Sequence, residues 1–210
     1  MADVKIGRMV IGSVQTNCYF VYREGSGDVI FFDPADKGDY IYETLKEKGL
    51  HVKGILLTHA HFDHIWGCNR LHELSGAPIY AYEEEKVLCE DAVTNVSEQV
   101  GRPCTVFPDR YLKDGEEISI ADITCRLIAT PGHTVGSCCY YFEEAGMLIA
   151  GDTLFQESVG RTDLATGSMG ALVRSIRDKL FVLPDDTKVY PGHGDITTIG
   201  YEKQYNPFVQ

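Results

Sequence analysis

Four apolar runs in this chain each end in a short turn that carries His or Asp, and this repeated design constrains the fold most. They are Gly54-Ile55-Leu56-Leu57 before Thr58-His59-Ala60-His61-Phe62-Asp63-His64, Ile128-Ala129 before Thr130-Pro131-Gly132-His133, Leu148-Ile149-Ala150 before Gly151-Asp152, and Val189-Tyr190 before Pro191-Gly192-His193. Short apolar runs bounded by turn residues read as buried strands. Glycine just before the ligand-type residue in the last three lets the backbone turn where a Cβ would clash. Pro131 and Pro191 stiffen two of the same turns. Strand ends are rigid supports, and imidazole and carboxylate are ligands for zinc, iron and manganese. The pattern therefore predicts a metal site, with enough ligands for two ions. A lone His at a turn is more often a surface residue or a satisfied core residue, and His51 and His72 are read that way. His59, His61, Asp63, His64, His133, Asp152 and His193 recur too regularly at strand ends for that explanation.

At 210 residues the chain is expected to form one domain, 1–210, large enough for a substantial core. A formal charge of −12 argues against nucleic acid, whose binding relies on Lys and Arg displacing counterions. No apolar run is long enough for a membrane span, and residues 1–5 lead straight into strand-like sequence without a signal peptide, so a cytoplasmic protein is expected. Seven cysteines without a Cys-x-x-Cys pair suggest free thiols in a reducing compartment. Adjacent Cys138 and Cys139 should point to opposite faces of a strand. Cys68, one helical turn beyond His64, is read as a packing residue. The acidic runs Glu83-Glu84-Glu85 and Asp185-Asp186 read as solvated faces.

Strands are predicted over Val4–Ile11, 18–23, Asp28–Phe32, 51–58, 78–82, Glu117–Ile120, 124–129, 137–142, 147–150 and 188–190. Helical periodicity marks 40–48, stopped by Gly49, a single helix over 63–74 ended by Ser75-Gly76, and 169–180. Residues 83–110 read as one or two helices and a loop. Two groups of strands with interspersed helices suggest two sheets packed face to face and covered by helices.

On the motif His59-x-His61-x-Asp63-His64 and the three later turns, the chain resembles the metallo-β-lactamase-fold hydrolase superfamily. Within it, the glyoxalase II (hydroxyacylglutathione hydrolase) branch is the most similar. The resemblance runs from Thr16-Asn17-Cys18-Tyr19 to the last His turn. It implies an α+β fold of four layers, an αβ/βα sandwich of two mixed sheets flanked by helices. It also implies two divalent metal ions, zinc foremost, with iron or manganese as alternatives. His59, His61 and His133 would hold the first ion, Asp63, His64 and His193 the second, and Asp152 would bridge them, with Asp63 also counted as catalytic. Zinc β-lactamases of the best-known class carry Cys at the position of Asp152, and flavodiiron-type relatives carry Glu at that of His61. This chain therefore resembles the esterase and thioesterase members. It ends seventeen residues after His193, so it is expected to be a short form without the C-terminal helical extension. Asp195 stands where the branch tends to have Tyr. Arg161 falls where it often has Lys near the substrate, and is either an anion contact or half of a structural ion pair.

Two ions roughly 3.5–4 Å apart can share a water and generate hydroxide at neutral pH. The implied reaction is hydrolysis of an ester-type bond, with an anionic small-molecule thioester such as S-2-hydroxyacylglutathione as the leading substrate. A thiolate leaves without a strong acid, its conjugate pKa being about 8.5. No Gly-x-Ser-x-Gly elbow is present, so a covalent serine route is not expected. The alternative is a mononuclear iron persulfide dioxygenase on the same fold. The chain is expected to be a monomer or homodimer.

Overall fold

The computed structural model describes residues 3–210. Strands β1 (Val4–Ile11), β2 (Thr16–Arg23) and β3 (Asp28–Phe32) form an antiparallel meander. The chain then crosses through helix α1 (Gly38–Glu47) to β4 (His51–Leu56), which lies parallel to β3. Helices α2 (Phe62–Ile65) and α3 (Cys68–Ser75) lead to parallel β5 (Ile79–Tyr82). A 3₁₀ turn at Glu83–Glu85, helix α4 (Lys86–Glu90) and an irregular segment reach β6 (Arg110–Leu112). The six strands stand in chain order in one mixed sheet, because each parallel step is made by a helical crossover on one face.

The second sheet starts with antiparallel β7 (Glu117–Ile120), β8 (Ile123–Ala129), β9 (Cys138–Phe142) and β10 (Met147–Gly151). A small hairpin, β11 (Leu154–Phe155) with β12 (Ser158–Val159), precedes helix α5 (Met169–Ser175), which continues as a π turn over Ile176–Leu180. Strand β13 (Lys188–Pro191) joins β10 in parallel, followed by β14 (Thr197–Thr198) and helix α6 (Ile199–Tyr205).

Strand alternation sorts the apolar residues into three layers of core. Tyr19, Val21, Ile30 and Phe32 face the second sheet and meet Tyr140, Phe142 and Ile149. Phe20 and Phe31 point the other way, under Ile41, Leu45 and Leu71 of the first helical layer. Cys139, Tyr141, Leu148 and Ala150 pack outward against Leu172, Ile176, Leu180 and Ile199. The order helix, sheet, sheet, helix is the expected four-layer sandwich. Phe32, 5.4 Å from the Tyr140 ring and 6.0 Å from that of Phe142, anchors the middle layer. Its truncation to Ala would cost about 3–5 kcal/mol. All seven cysteines are free, with Cys138 between the sheets and Cys139 beneath the outer helices, as their alternation required.

Some local expectations need correcting. The helix expected over 63–74 is two helices, because the Gly67 amide leaves the helical ladder and donates to the Pro34 carbonyl at 2.8 Å. Strand β4 stops at Leu56 rather than 58, since the Thr58 amide donates to the Asp33 carboxylate instead of a neighbouring strand. Glu85 is buried at 1% exposure, so the acidic run 83–85 is not wholly a solvated face. Among the described residues, no helix is long and apolar enough to cross a membrane.

Candidate metal centre

Strands β4, β8, β10 and β13 each deliver their turn to the same edge of the sandwich, and all seven residues singled out meet there. Ligand atoms of His59, His61 and His133 lie within 4.8 Å of one another, as do those of Asp63, His64 and His193. A third such group, His59, His64 and Asp152, overlaps both and makes the cluster continuous. Asp152 lies between the sets. Its Oδ2 is 3.6 Å from Nε2 of His133 and 3.6 Å from Nε2 of His193, and its Oδ1 is 3.5 Å from Nε2 of His64. Asp63 Oδ2 is 3.2 Å from His193 Nε2 and 3.7 Å from His64 Nε2.

The outer nitrogens of three imidazoles are held by oxygen acceptors, and this sets their tautomers. His133 Nδ1 donates to the Arg161 carbonyl at 2.7 Å, and His64 Nδ1 donates to Asp33 Oδ2 at 3.1 Å. The Thr58 hydroxyl gives its proton to Asp33 Oδ2 at 2.7 Å, so its oxygen accepts from His59 Nδ1 at 3.2 Å. In the neutral rings the Nε2 lone pairs therefore all turn inward. Nε2 of His133 lies 3.2 Å from Nε2 of His59 and 2.8 Å from Nδ1 of His61. The bare Nε2 atoms of His133 and His59 repel unless a cation lies between them. His61 Nε2, His64 Nε2 and Asp152 Oδ1 are buried without a hydrogen-bond partner. Buried polar atoms are rarely left so. The donor set thus fits divalent ions.

Burial divides the electrostatics. It pushes His59 well below the ordinary imidazole range and His61 down to about 3, with neighbouring imidazoles adding to both, and it lowers His133. For His64 burial acts the same way but is outweighed by Asp63 and Asp152, which raise it well above its ordinary value. His193 is likewise raised by Asp63 and Asp152 against its burial. Conversely, burial would raise Asp63 and Asp152, but His64 and His193 hold both below the usual carboxylate range.

Several supporting residues escaped the sequence reading. Asp33 directly follows β3, beside β4, and holds Thr58 and His64. An acid at the end of a parallel strand next to the ligand-bearing one was the available signal. Thr16 Oγ1 donates to Asp63 Oδ2 at 3.3 Å, and the Asn17 side-chain amide donates to the Pro191 and Gly194 carbonyls at 3.0 Å each, clamping the last His turn. That turn needs Gly192, where a Cβ would sit 2.2 Å from Asp152 Oδ1. Glu85 accepts hydrogen bonds from two of the ligand-bearing loops, and burial pushes its carboxyl up to about 8. The Arg161 side chain forks onto Asp163 at 2.7 and 2.8 Å, so the ion pair forms, and it does so at the rim of the pocket beside the cluster. That pocket, of about 410 Å³, has an apolar wall of Val14, Phe62, Phe155, Val159 and Leu164.

A four-layer sandwich with a His/Asp cluster at one edge defines a metal-binding hydrolase class, and comparison with known proteins agrees. The chain belongs to the metallo-beta-lactamase superfamily, whose family profile matches residues 11–193. It is 40% identical to the probable metallo-hydrolase YqgX of Bacillus subtilis, over 98% of both chains. It is 32% identical to the hydroxyacylglutathione hydrolase GloC of Haemophilus influenzae, over 95% of both. Among solved structures, the BLEG-1 B3 metallo-beta-lactamase superposes with a TM-score of 0.93 at 37% identity, over 98% of this chain and 100% of that one. TTHA1623 in a di-iron-bound form superposes with a TM-score of 0.85 at 33% identity, over 96% and 99%.

Proposed function

We propose that this chain is a thioester hydrolase with a dinuclear centre, acting on S-2-hydroxyacyl thiols such as S-2-hydroxyacylglutathione. The observation that carries this reading is Asp152, whose one carboxylate lies within 3.6 Å of imidazoles from both sets. His59, His61 and His133 would hold one ion, Asp63, His64 and His193 the other, and Asp152 would bridge them. Nitrogen and oxygen donors without thiolate suit zinc, with iron and manganese close behind. Divalent ions bound by these residues would supply a water whose pKa is lowered from about 15.7 toward about 7, and a polarised carbonyl.

The chain's own groups supply the rest. Asp63 faces the pocket, kept ionised by His64 and His193, and orients the attacking water. The wall of Val14, Phe62, Phe155, Val159 and Leu164 excludes bulk water around the acyl group, which strengthens the electrostatics at the reacting carbonyl. Arg161 supplies the cation at the rim, and a substrate carboxylate would exchange for Asp163 on its guanidinium. A thiolate departs without a protein acid, because its conjugate thiol has a pKa of only about 8.5. The likeness to GloC supports the thioester, and the likeness to a β-lactamase names the rival bond to be tested.

The test is to count metals in the purified protein and assay a panel of thioesters, lactones and β-lactams. Two ions per chain and a preference for thioesters are expected. Faster β-lactam turnover, or one iron with oxygen uptake on a persulfide, would overturn the proposal.

A further inference from the structure

Glu85 is a buried carboxylate that the reaction does not use. It closes the 3₁₀ turn after β5, and while Glu83 and Glu84 are exposed, its own side chain runs under the centre. Oε1 accepts from the Ala60 amide at 2.7 Å, and Ala60 lies between His59 and His61. Oε2 accepts from the Thr134 hydroxyl at 2.8 Å and the Gly136 amide at 3.0 Å, in the loop that carries His133. The Thr134 hydroxyl is also 2.8 Å from the Ser137 hydroxyl, so the loop is braced from within. Gly136 makes the approach possible, since a Cβ there would lie 2.1 Å from the Glu85 nitrogen. Burying a carboxyl group is costly unless it is hydrogen-bonded, and here three donors from two loops reach it.

We propose that Glu85 is a positioning residue for the three-imidazole half of the centre, one carboxylate fixing the His59–His61 segment against the His133 loop. It touches neither ion nor substrate. Its two oxygens address different loops, so neither loop can shift without breaking a hydrogen bond to it. The Asp63, His64 and His193 half has other supports, in Thr16, Asn17 and Asp33, and does not depend on it. The inference rests on the division of ligands proposed above.

Glu85→Gln is the direct test. Whichever oxygen becomes the amide, its NH₂ must face a donor, Ala60 N–H on one side or Gly136 N–H on the other. In a His193→Ala background, where only the three-imidazole set is complete, Glu85→Gln should weaken zinc by about 10–100-fold, read by competition with a chromophoric chelator. In a His133→Ala background it should change the affinity of the other set by less than about twofold, a difference that a general loss of stability would not produce. Thr134→Val removes one of the three hydrogen bonds without removing the buried carboxylate. It should give a smaller loss in the same half, and it carries the test if Glu85→Gln does not fold. Equal weakening in both backgrounds, or none in the first, would overturn the proposal. If the unmodified chain held one ion only, the dinuclear reading would fail, while the loss at His59, His61 and His133 would still decide the role of Glu85.

Discussion

The two halves of the centre are built from opposite physics. His59, His61 and His133 are 1–3% exposed, and burial keeps them neutral, with lone pairs ready for an ion. The other half mixes carboxylates with imidazoles. Asp63 and His193 keep 14% and 28% side-chain exposure, and the carboxylates hold His64 and His193 toward their protonated forms. One half is preset for a cation by desolvation, and the other satisfies its charges internally with protons. The same fold edge therefore offers two sites that should differ in affinity and in their response to pH.

The largest effect is expected where the halves meet. Asp152→Ala removes the one group shared by both, so it should lose both ions. Activity should fall by more than the roughly 10²–10³-fold that removing a single electrostatic donor costs. Metal counting after dialysis at fixed free zinc checks this, and full occupancy in the variant would break the bridging assignment. His193→Ala should sharpen the contrast instead, depleting the carboxylate half while the three-imidazole set keeps its ion, so that metal content falls by about half.

Asp33→Asn comes next, because Asp33 supports both halves, His64 directly and His59 through Thr58. Loss of such an outer partner costs about 10–100-fold in metal affinity. Here the loss should be seen in both halves, in contrast to Glu85→Gln. A loss confined to the carboxylate half would mean that Thr58 holds His59 without help.

This asymmetry also decides what could be read in the sequence. The seven clustered residues were legible because they follow four apolar runs, each recognisable by itself, and the two-sheet sandwich was legible because most of its strands are long enough to show a period. Asp33, Thr16, Asn17 and Glu85 were not legible, because their roles exist only across the fold. Asp33 meets Thr58, 25 residues away, and Glu85 meets Gly136, 51 residues away. A carboxylate inside the run Glu83-Glu84-Glu85 looks solvated until the turn that buries it is known. Strands β11, β12 and β14, of two residues each, are too short to alternate, and α6 shows itself only through its Thr198 cap, which accepts from the Tyr201 amide at 3.2 Å. Ligands held by one segment can be read locally, whereas their supports cannot.

The smallest expected effect is the most direct probe of the contrast. Below the raised pKa of His64 its ring carries a proton that an incoming ion must displace. His193, raised by the same carboxylates, adds to this, so affinity of the carboxylate half should rise with pH by at least about tenfold per unit, levelling off once both rings are neutral without metal. The neighbouring carboxylates do not add to this slope near neutrality, since Asp63 and Asp152 are held below the usual carboxylate range. The three-imidazole half should bind with no such slope between about pH 6 and 8, because burial has already removed the protons that would compete. Calorimetric zinc titrations of the His133→Ala and His193→Ala proteins, in two buffers of different ionisation enthalpy, would count the protons released by each half. More than one proton from the first variant, shared between His64 and His193, and none from the second is expected. Equal release from both would mean that the neighbouring carboxylates do not set the protonation of His64, and the electrostatic division of the site would fall with it.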